Sequence, residues 1–322
     1  MTRRDFLYQA TAASAPLFTP RLSLADVPHA AAIDAHSFHD TRRYAELPIS
    51  RVAYIERGHG PVALFVHGYP LNGYQWRGAL DRLQNHRRCI APDMMALGYT
   101  VTPTNRPVTP ETQVQMLAAL LDSLHIQSVD LVANDSGGLI SQLFIARYPE
   151  RVRTLLITNC DVDTDSPPPP FVPLIDLADK HTLVDRFLAP QVADMALARS
   201  SRGLGGAYTW PDRLTEETID IYLRPLVDDP DSKAKLEEYT SSLRANPLPP
   251  ARDALCRWRG SARIVWGMKD TFFDPKSADW LDKNLPGSRG IRRLEEANLF
   301  FPEEMPDVIA EEAIVLWKNS PA

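Results

Sequence analysis

The chain of 322 residues is long enough for one large domain or two smaller ones, and its 44% hydrophobic and 24% charged residues are ordinary for a globular protein. The formal net charge of −6 offers no basic surface for a nucleic acid partner, and no apolar run is long enough to make a membrane-spanning helix. The three cysteines lie far apart, with no CxxC or Cys/His spacing, so we expect no metal site.

The first residues resemble a twin-arginine export signal. Residues 2–7 contain paired arginines before Phe-Leu, and a weakly apolar, alanine-rich stretch follows to Phe18. The small residues Ser23 and Ala25 suit a signal peptidase. We therefore expect residues 1–25 to be a removable signal and the protein to be periplasmic or secreted. The alternative is a terminal tail with a chance pair of arginines.

Strand and helix patterns alternate between residues 45 and 160. Apolar runs at 49–55, 62–66 and 154–158 indicate strands, and the unbroken run at 62–66 is typical of a strand buried on both faces. The pattern at 109–124 indicates a helix. This alternation predicts an α/β fold with a mostly parallel sheet flanked by helices.

The stretch 129–138 has the pattern of a nucleophile elbow. Four residues suited to a short buried strand lead into Asp135, and an apolar helix pattern follows. The elbow sequence small-x-nucleophile-x-small runs from Ala133 to Gly137, which puts Asp135 in the nucleophile position. The positive end of the helix dipole favours a carboxylate there. The alternative is an Asn-Asp turn that caps a helix.

The pattern changes after residue 160. Four successive prolines occupy 167–170, and only helix patterns follow to about residue 244. A strand pattern returns at 262–266, and an amphipathic helix begins at Pro306. We therefore predict a core made of residues 45–160 and 259–322, interrupted by an all-helical insertion at residues 161–258, here called the cap segment.

These motifs, in this order, resemble the α/β-hydrolase family and, within it, the haloalkane dehalogenase and epoxide hydrolase branch. The resemblance implies that Asp135 is the nucleophile and Asp270 the orienting acid. The sequence His-Gly-Tyr-Pro at 67–70 implies that the Tyr69 backbone N–H, with that of Ser136, stabilises an oxyanion or a halide. The family resemblance further implies a small hydrophobic organic substrate, bound between cap and core, and no metal or organic cofactor.

Two positions depart from the family pattern. The branch usually places a tryptophan after the nucleophile, where this chain has Ser136. The histidine position of the triad holds Leu299, and none of the eight histidines follows residue 181. An aspartate is ionised at neutral pH and needs no base to attack carbon, but hydrolysis of the resulting alkyl ester does need one. We therefore expect impaired ester hydrolysis, unless Glu295 or Glu296 acts as the base.

Six more residues are candidates for the pocket wall, although packing is the simpler role for each of them. They are His67, Trp76, Tyr208, Trp210, Tyr222 and Tyr239. The three tyrosines would also be able to donate a proton to an epoxide oxygen or a leaving group. Two alternatives stay open for the whole chain: a non-catalytic ligand-binding relative, and a histidine-to-leucine variant that traps an intermediate of an active hydrolase.

Overall fold

The computed structural model describes residues 35–320, so the expected export signal at 1–25 lies outside the described residues. Within that range one sheet is formed by β1 Arg43–Glu46, β2 Arg51–Arg57, β3 Val62–Val66, β4 Arg88–Pro92, β5 Val129–Ala133, β6 Val152–Thr158, β7 Ser261–Gly267 and β8 Ser288–Leu294. The strand order is β1-β2-β4-β3-β5-β6-β7-β8. Strand β2 runs antiparallel to β1 and β4, and every other pair is parallel.

Helices connect and flank these strands. In the described range they are α1 Ala35–Asp40, α2 Arg77–Leu83, α3 Pro110–Ser123, α4 Ser136–Arg147, α5 Val172–Ala178, α6 Ala189–Ala193, α7 Met195–Arg199, α8 Glu216–Val227, α9 Pro230–Ser242, α10 Leu248–Arg257, α11 Pro275–Asn284, α12 Phe301–Glu304 and α13 Pro306–Lys318. Not one of them is long and apolar enough to cross a membrane. The predicted α/β architecture is confirmed.

The register of the central strands determines where the site forms. Ala133 of β5 pairs with Val66 of β3 on one side and with Ile157 of β6 on the other, and Thr158 of β6 pairs with Val265 of β7. Strands β3 and β5 are buried along their whole length, as expected of parallel strands covered by helices. The residues that follow these four strands therefore meet at one edge of the sheet, where ligands bind in open α/β sheets.

The cap segment follows β6 and contains α5 to α10. Helix α9 packs against both α5 and α8, and α6 packs against α8. Helix α10 packs against α4 instead, with Leu248 and Leu255 buried. The last helix of the cap segment thus lies on the core, because its apolar stripe faces α4.

Candidate active site

Asp135 lies at the turn between β5 and α4. Its backbone has φ 55° and ψ −131°, a strained conformation for a residue with a side chain. The turn is tight: a Cβ at Gly137 would lie 2.3 Å from the carbonyl oxygen of Val66, and one at Gly138 would lie 2.4 Å from the Cβ of Cys160. Asp135 therefore lies at a strand–helix elbow, as its sequence pattern predicts, and its φ is positive.

Two backbone N–H groups hold the Asp135 carboxylate. The N–H of Tyr69 donates to Oδ2 at 2.7 Å, and the N–H of Ser136 also donates to this carboxylate. Gly68 allows the approach, because a Cβ there would lie 2.7 Å from Asp135 Oδ2. Its own N–H donates to Oε1 of Gln75 at 2.9 Å, which fixes the loop. The two expected anion donors therefore point at the same carboxylate.

Asp270 follows β7 and is held by amide groups. Its Oδ1 accepts from the N–H of Phe272 at 2.7 Å, and its Oδ2 accepts from Nδ2 of Asn159 at 2.8 Å. Asn159 is itself fixed, since its side chain pairs with both the N–H and the C=O of Gly267. Burial raises the pKa of Asp270 to about 6. The carboxyl is thus well oriented beside the nucleophile, although no imidazole pairs with it.

Leu299 occupies the position at which the resemblance expects a histidine. Its side chain is buried and lines the same cavity as Asp135, and its carbonyl accepts from Nδ2 of Asn134 at 3.1 Å. The loop before it lies beside the end of β7, where the N–H of Lys269 donates to the carbonyl of Ala297 at 2.9 Å. No histidine lines this cavity among residues 35–320. The cavity wall therefore has an apolar side chain at Leu299, the position for which the resemblance implies a histidine.

The two glutamates considered as substitute bases lie elsewhere. Glu295 and Glu296 are exposed in the turn that follows the edge strand β8. Glu296 lies 3.8 Å from Nζ of Lys269, and neither residue lines the cavity. They face solvent because the edge of the sheet has no further strand to cover them, so they do not replace the missing imidazole.

Asp161, which the sequence analysis did not single out, is a third carboxyl at this edge. It is 6% exposed and lines the cavity together with Asp135, and burial raises its pKa to about 7. Burial, followed by the charges of Asp161 and Asp270, raises the pKa of Asp135 well above its usual value. Burial and the two neighbouring carboxyl groups thus oppose the ionisation of Asp135 on which the proposed attack depends. The position of Asp161, just beyond a buried strand, is the signal that could have identified it.

A cavity of about 340 Å³ lies over Asp135. That volume is suited to a small organic molecule. Most of its wall is apolar and comes from the cap segment and from the loops after β7 and β8, including Phe171, Phe187, Leu204, Leu243, Phe272 and Phe300. Polar groups are contributed by Tyr69, Asp135, Ser136, Asp161, Ser201, Arg202 and Thr271. A larger open groove of about 1130 Å³, between α8 and the loop at 96–104, shares no residue with this site.

None of the six additional pocket candidates belongs to this lining. His67 is fully buried: its Nε2 accepts from the N–H of Met94 at 2.9 Å, and burial lowers its pKa. Trp76 packs against the ring of Phe65, and Trp210 stacks on an arginine side chain. These side chains are engaged in packing inside the core or against the cap segment, so they do not face the cavity.

The three tyrosines of the cap segment are also engaged elsewhere. Tyr208 and Tyr222 both donate to Oε2 of Glu303, at 2.7 and 3.0 Å, and Arg77 pairs with Oε1 of the same carboxylate at 2.7 Å. Tyr239 is buried and hydrogen-bonds the side chain of Ser136. The buried Glu303 thus joins the cap segment to the core, and it turns two of the expected proton donors away from the cavity.

Across residues 35–320, no group of histidine, cysteine, aspartate or glutamate side chains is arranged to hold a metal ion. The three cysteines are free thiols. Cys89 and Cys160 are buried, and Cys256 is partly exposed.

The chain is similar to several known proteins. It is 34% identical to cis-3-alkyl-4-alkyloxetan-2-one decarboxylase of Shewanella oneidensis over 113 residues, 34% of this chain but only 36% of that protein, so just over a third of the decarboxylase is matched. It is 24% identical to haloalkane dehalogenase 2 of Mycobacterium tuberculosis over 289 residues, 83% of this chain and 92% of that protein. A solved epoxide hydrolase superposes with a TM-score of 0.67 at 19% identity, over 86% of this chain and 98% of that one, which shows the fold alone.

The sequence pattern of the alpha/beta hydrolase fold matches residues 61–304. That range runs from the start of β3 to the end of α12 and includes the elbow, the cap segment and the loop with Leu299. With an eight-stranded, mostly parallel sheet flanked by helices, the chain belongs to the α/β-hydrolase family.

Proposed function

We propose that the protein forms an alkyl ester on Asp135 with a small hydrophobic electrophile, as a haloalkane dehalogenase-like or epoxide hydrolase-like enzyme. The observation that carries this proposal is the strained elbow, which presents a carboxylate held by two N–H groups at the floor of an apolar cavity. One Asp135 oxygen attacks an electrophilic carbon, a carbon–oxygen bond forms, and the leaving group departs with its electron pair. Tyr69 and Ser136 supply the N–H groups that stabilise negative charge there.

Hydrolysis of this ester is proposed to be slow. Water must be activated to attack the ester carbonyl, and a positioned base typically contributes about 10²–10⁴-fold. Leu299 has no basic atom, and Asp270 is hydrogen-bonded to amide groups without an imidazole to orient. With a reactive haloalkane we expect about one fast alkylation per chain and then a stall.

A second candidate function is favoured by the same apolar wall. The oxetan-2-one named for the decarboxylase relative is a ring that can be converted to an alkene without consuming water. Attack by Asp135 on the alkyl-bearing ring carbon that is bonded to the ring oxygen would break that carbon–oxygen bond and release a carboxylate. Loss of carbon dioxide would then break a carbon–carbon bond, and its electron pair would form the alkene as the Asp135 carboxylate departs. This cycle needs no base at position 299.

Export is proposed on the sequence alone. The paired arginines within residues 2–7 and the weakly apolar stretch after them support a twin-arginine signal. The enzyme would then fold before export and act in the periplasm or outside the cell, with residues 1–25 removed.

The test uses intact mass. The protein is incubated with 1-iodobutane, whose leaving group needs little stabilisation, and with a cis-3,4-dialkyl oxetan-2-one in a separate arm. The expected results are a gain of one butyl group per chain in the first arm and alkene release in many turnovers if the second candidate holds. Asp135→Asn, which keeps the size of the side chain, should give neither. The absence of both adduct and product with the unaltered chain would favour a non-catalytic ligand-binding protein.

A further inference from the structure

We propose that Asp161 is the proton donor for an oxygen leaving group at this site, which identifies small apolar epoxides as the substrate class. The inference rests on the proposed attack by Asp135 and adds the group that supplies the proton. A halide departs without a proton, whereas the oxygen of an opened epoxide is a strong base that needs one. The choice between these two substrate classes therefore depends on whether the cavity contains an acid.

The fold places Asp161 and Asp135 side by side. They follow the neighbouring parallel strands β6 and β5, in which Ile157 pairs with Ala133. Both carboxyl groups belong to the cavity wall and both are more than nine-tenths buried. The main chain at Asp161 is fixed, because its carbonyl accepts from Nε2 of Gln142 at 2.7 Å. The second carboxyl is thus held at the floor of the pocket beside the nucleophile.

Other protic side chains at the cavity are engaged or are poor acids. The hydroxyl of Tyr69 lies 2.9 Å from Oγ1 of Thr240, and burial raises the pKa of Tyr69. Tyr239 interacts with the side chain of Ser136, but it lies outside the lining and burial raises its pKa. Tyr208 and Tyr222 are outside the lining and donate to a buried glutamate. In the part of the chain that the structure describes, Asp161 is the buried carboxyl that faces the cavity without being the nucleophile.

The two carboxyl groups favour a state with one shared proton, because two like charges in one buried site oppose each other. Hydrogen bonds stabilise the ionised form of each carboxyl, from the N–H groups of Tyr69 and Ser136 at Asp135 and from Ser166 at Asp161. Attack on carbon requires an ionised Asp135, so the reactive arrangement is the one with the proton on Asp161. The other titratable groups that act on the pair are carboxyl, phenol and thiol groups that add no positive charge: Asp165, Asp270, Tyr69, Tyr239 and Cys160. No basic group competes for the proton in this buried cluster, and Arg202, which lines the same cavity, is exposed.

The ring-opening step balances with these two residues alone. An Asp135 oxygen forms a bond to one epoxide carbon, and the bond between that carbon and the ring oxygen breaks. The ring oxygen keeps the electron pair and takes the proton of Asp161. The products are a hydroxyalkyl ester on Asp135 and an ionised Asp161, so the total charge of the pair is unchanged by the step.

The experiment compares two probes of equal carbon number, 1-iodobutane and 1,2-epoxybutane, in the full chain. Adduct formation on Asp135 is followed by intact mass for the unaltered protein and for Asp161→Asn, which keeps the side-chain size but cannot act as an acid. We expect Asp161→Asn to slow epoxide alkylation about 10²–10⁴-fold while iodobutane alkylation stays the same or becomes faster. The iodobutane rate also reports that the variant is folded.

Asp163→Asn is the matched control, since this carboxyl pairs with Nε of Arg252 at 2.5 Å and lies outside the cavity wall; it should leave both rates unchanged. Equal slowing of both probes by Asp161→Asn would overturn the proposal, as would an unchanged epoxide rate. If the unaltered chain reacts with iodobutane but not with the epoxide, this inference fails and the proposed function stands. If neither probe gives an adduct, both fail.

A pH profile of the unaltered chain gives a second test that needs no variant. As the pH rises, both alkylation rates should first increase because Asp135 ionises. The epoxide rate should then fall as Asp161 loses its proton, whereas the iodobutane rate should not fall. Profiles of the same shape for the two probes would contradict the proposed role of Asp161.

Discussion

Replacing Leu299 with histidine should accelerate hydrolysis of the Asp135 ester without slowing its formation. The expected gain is about 10²–10⁴-fold, the usual contribution of a positioned base, which corresponds to about 3–5 kcal/mol of barrier. Asp270 is ready to orient the ring: its carboxyl accepts from the N–H of Phe272 at 2.7 Å, from Nδ2 of Asn159 at 2.8 Å and also from the N–H of Phe273, and two carboxylate oxygens have room for a further donor.

The charges at the site also favour a histidine at position 299. Asp135, Asp161 and Asp270 all have raised pKa values, mainly because of burial. An imidazolium beside them would favour their ionised forms and would itself be stabilised. Against this, a buried ring nitrogen without a partner would cost about 1–3 kcal/mol of folding free energy. We therefore expect Leu299→His to fold and to lose no more stability than that.

The assay begins with the butyl ester formed from 1-iodobutane and measures both loss of the adduct and release of butanol. Leu299→Asn is the matched control, because it introduces a polar side chain without a basic nitrogen. The reasoning would be refuted if Leu299→His hydrolyses the ester no faster than Leu299→Asn. Many turnovers of the haloalkane by the unaltered chain would also refute it and would point to another base.

Three further predictions concern the nucleophile and the N-terminus. The rate of iodobutane alkylation should fall as the pH decreases, with a midpoint above the ordinary aspartate range, because burial and Asp161 raise the pKa of Asp135. Asp161→Asn should lower that midpoint. An ordinary aspartate midpoint in the unaltered chain would contradict the coupling between the two carboxyl groups. Gly68→Ala should slow alkylation by about 10²-fold or more, because the added Cβ would meet Asp135 Oδ2 at 2.7 Å; an unchanged rate would show that the loop yields. Lysine at both Arg3 and Arg4 should keep the protein inside the cell on fractionation, and unchanged localisation would argue against a twin-arginine signal.

The sequence was most informative where function depends on short local motifs. Asp135 and Tyr69 were placed correctly because an elbow and a His-Gly-x-Pro loop each require a fixed backbone shape within a few residues. Asp161 was missed because its place in the cavity wall depends on the register between two strands that are separated by 18 residues in sequence. Tyr208 and Tyr222 were expected near the cavity, but sequence periodicity cannot show that both hydroxyl groups meet Glu303, more than 80 residues away.

Peptide mapping of the iodobutane adduct tests the central claim most directly. Asp135 is the proposed site of an ester, whereas the partly exposed thiol of Cys256 is the obvious site of an incidental thioether. We predict that the butyl group is on the peptide that contains Asp135, that alkaline hydroxylamine removes it, and that Asp135→Asn abolishes it. A butyl group found on Cys256, stable to hydroxylamine and retained in Asp135→Asn, would contradict the account.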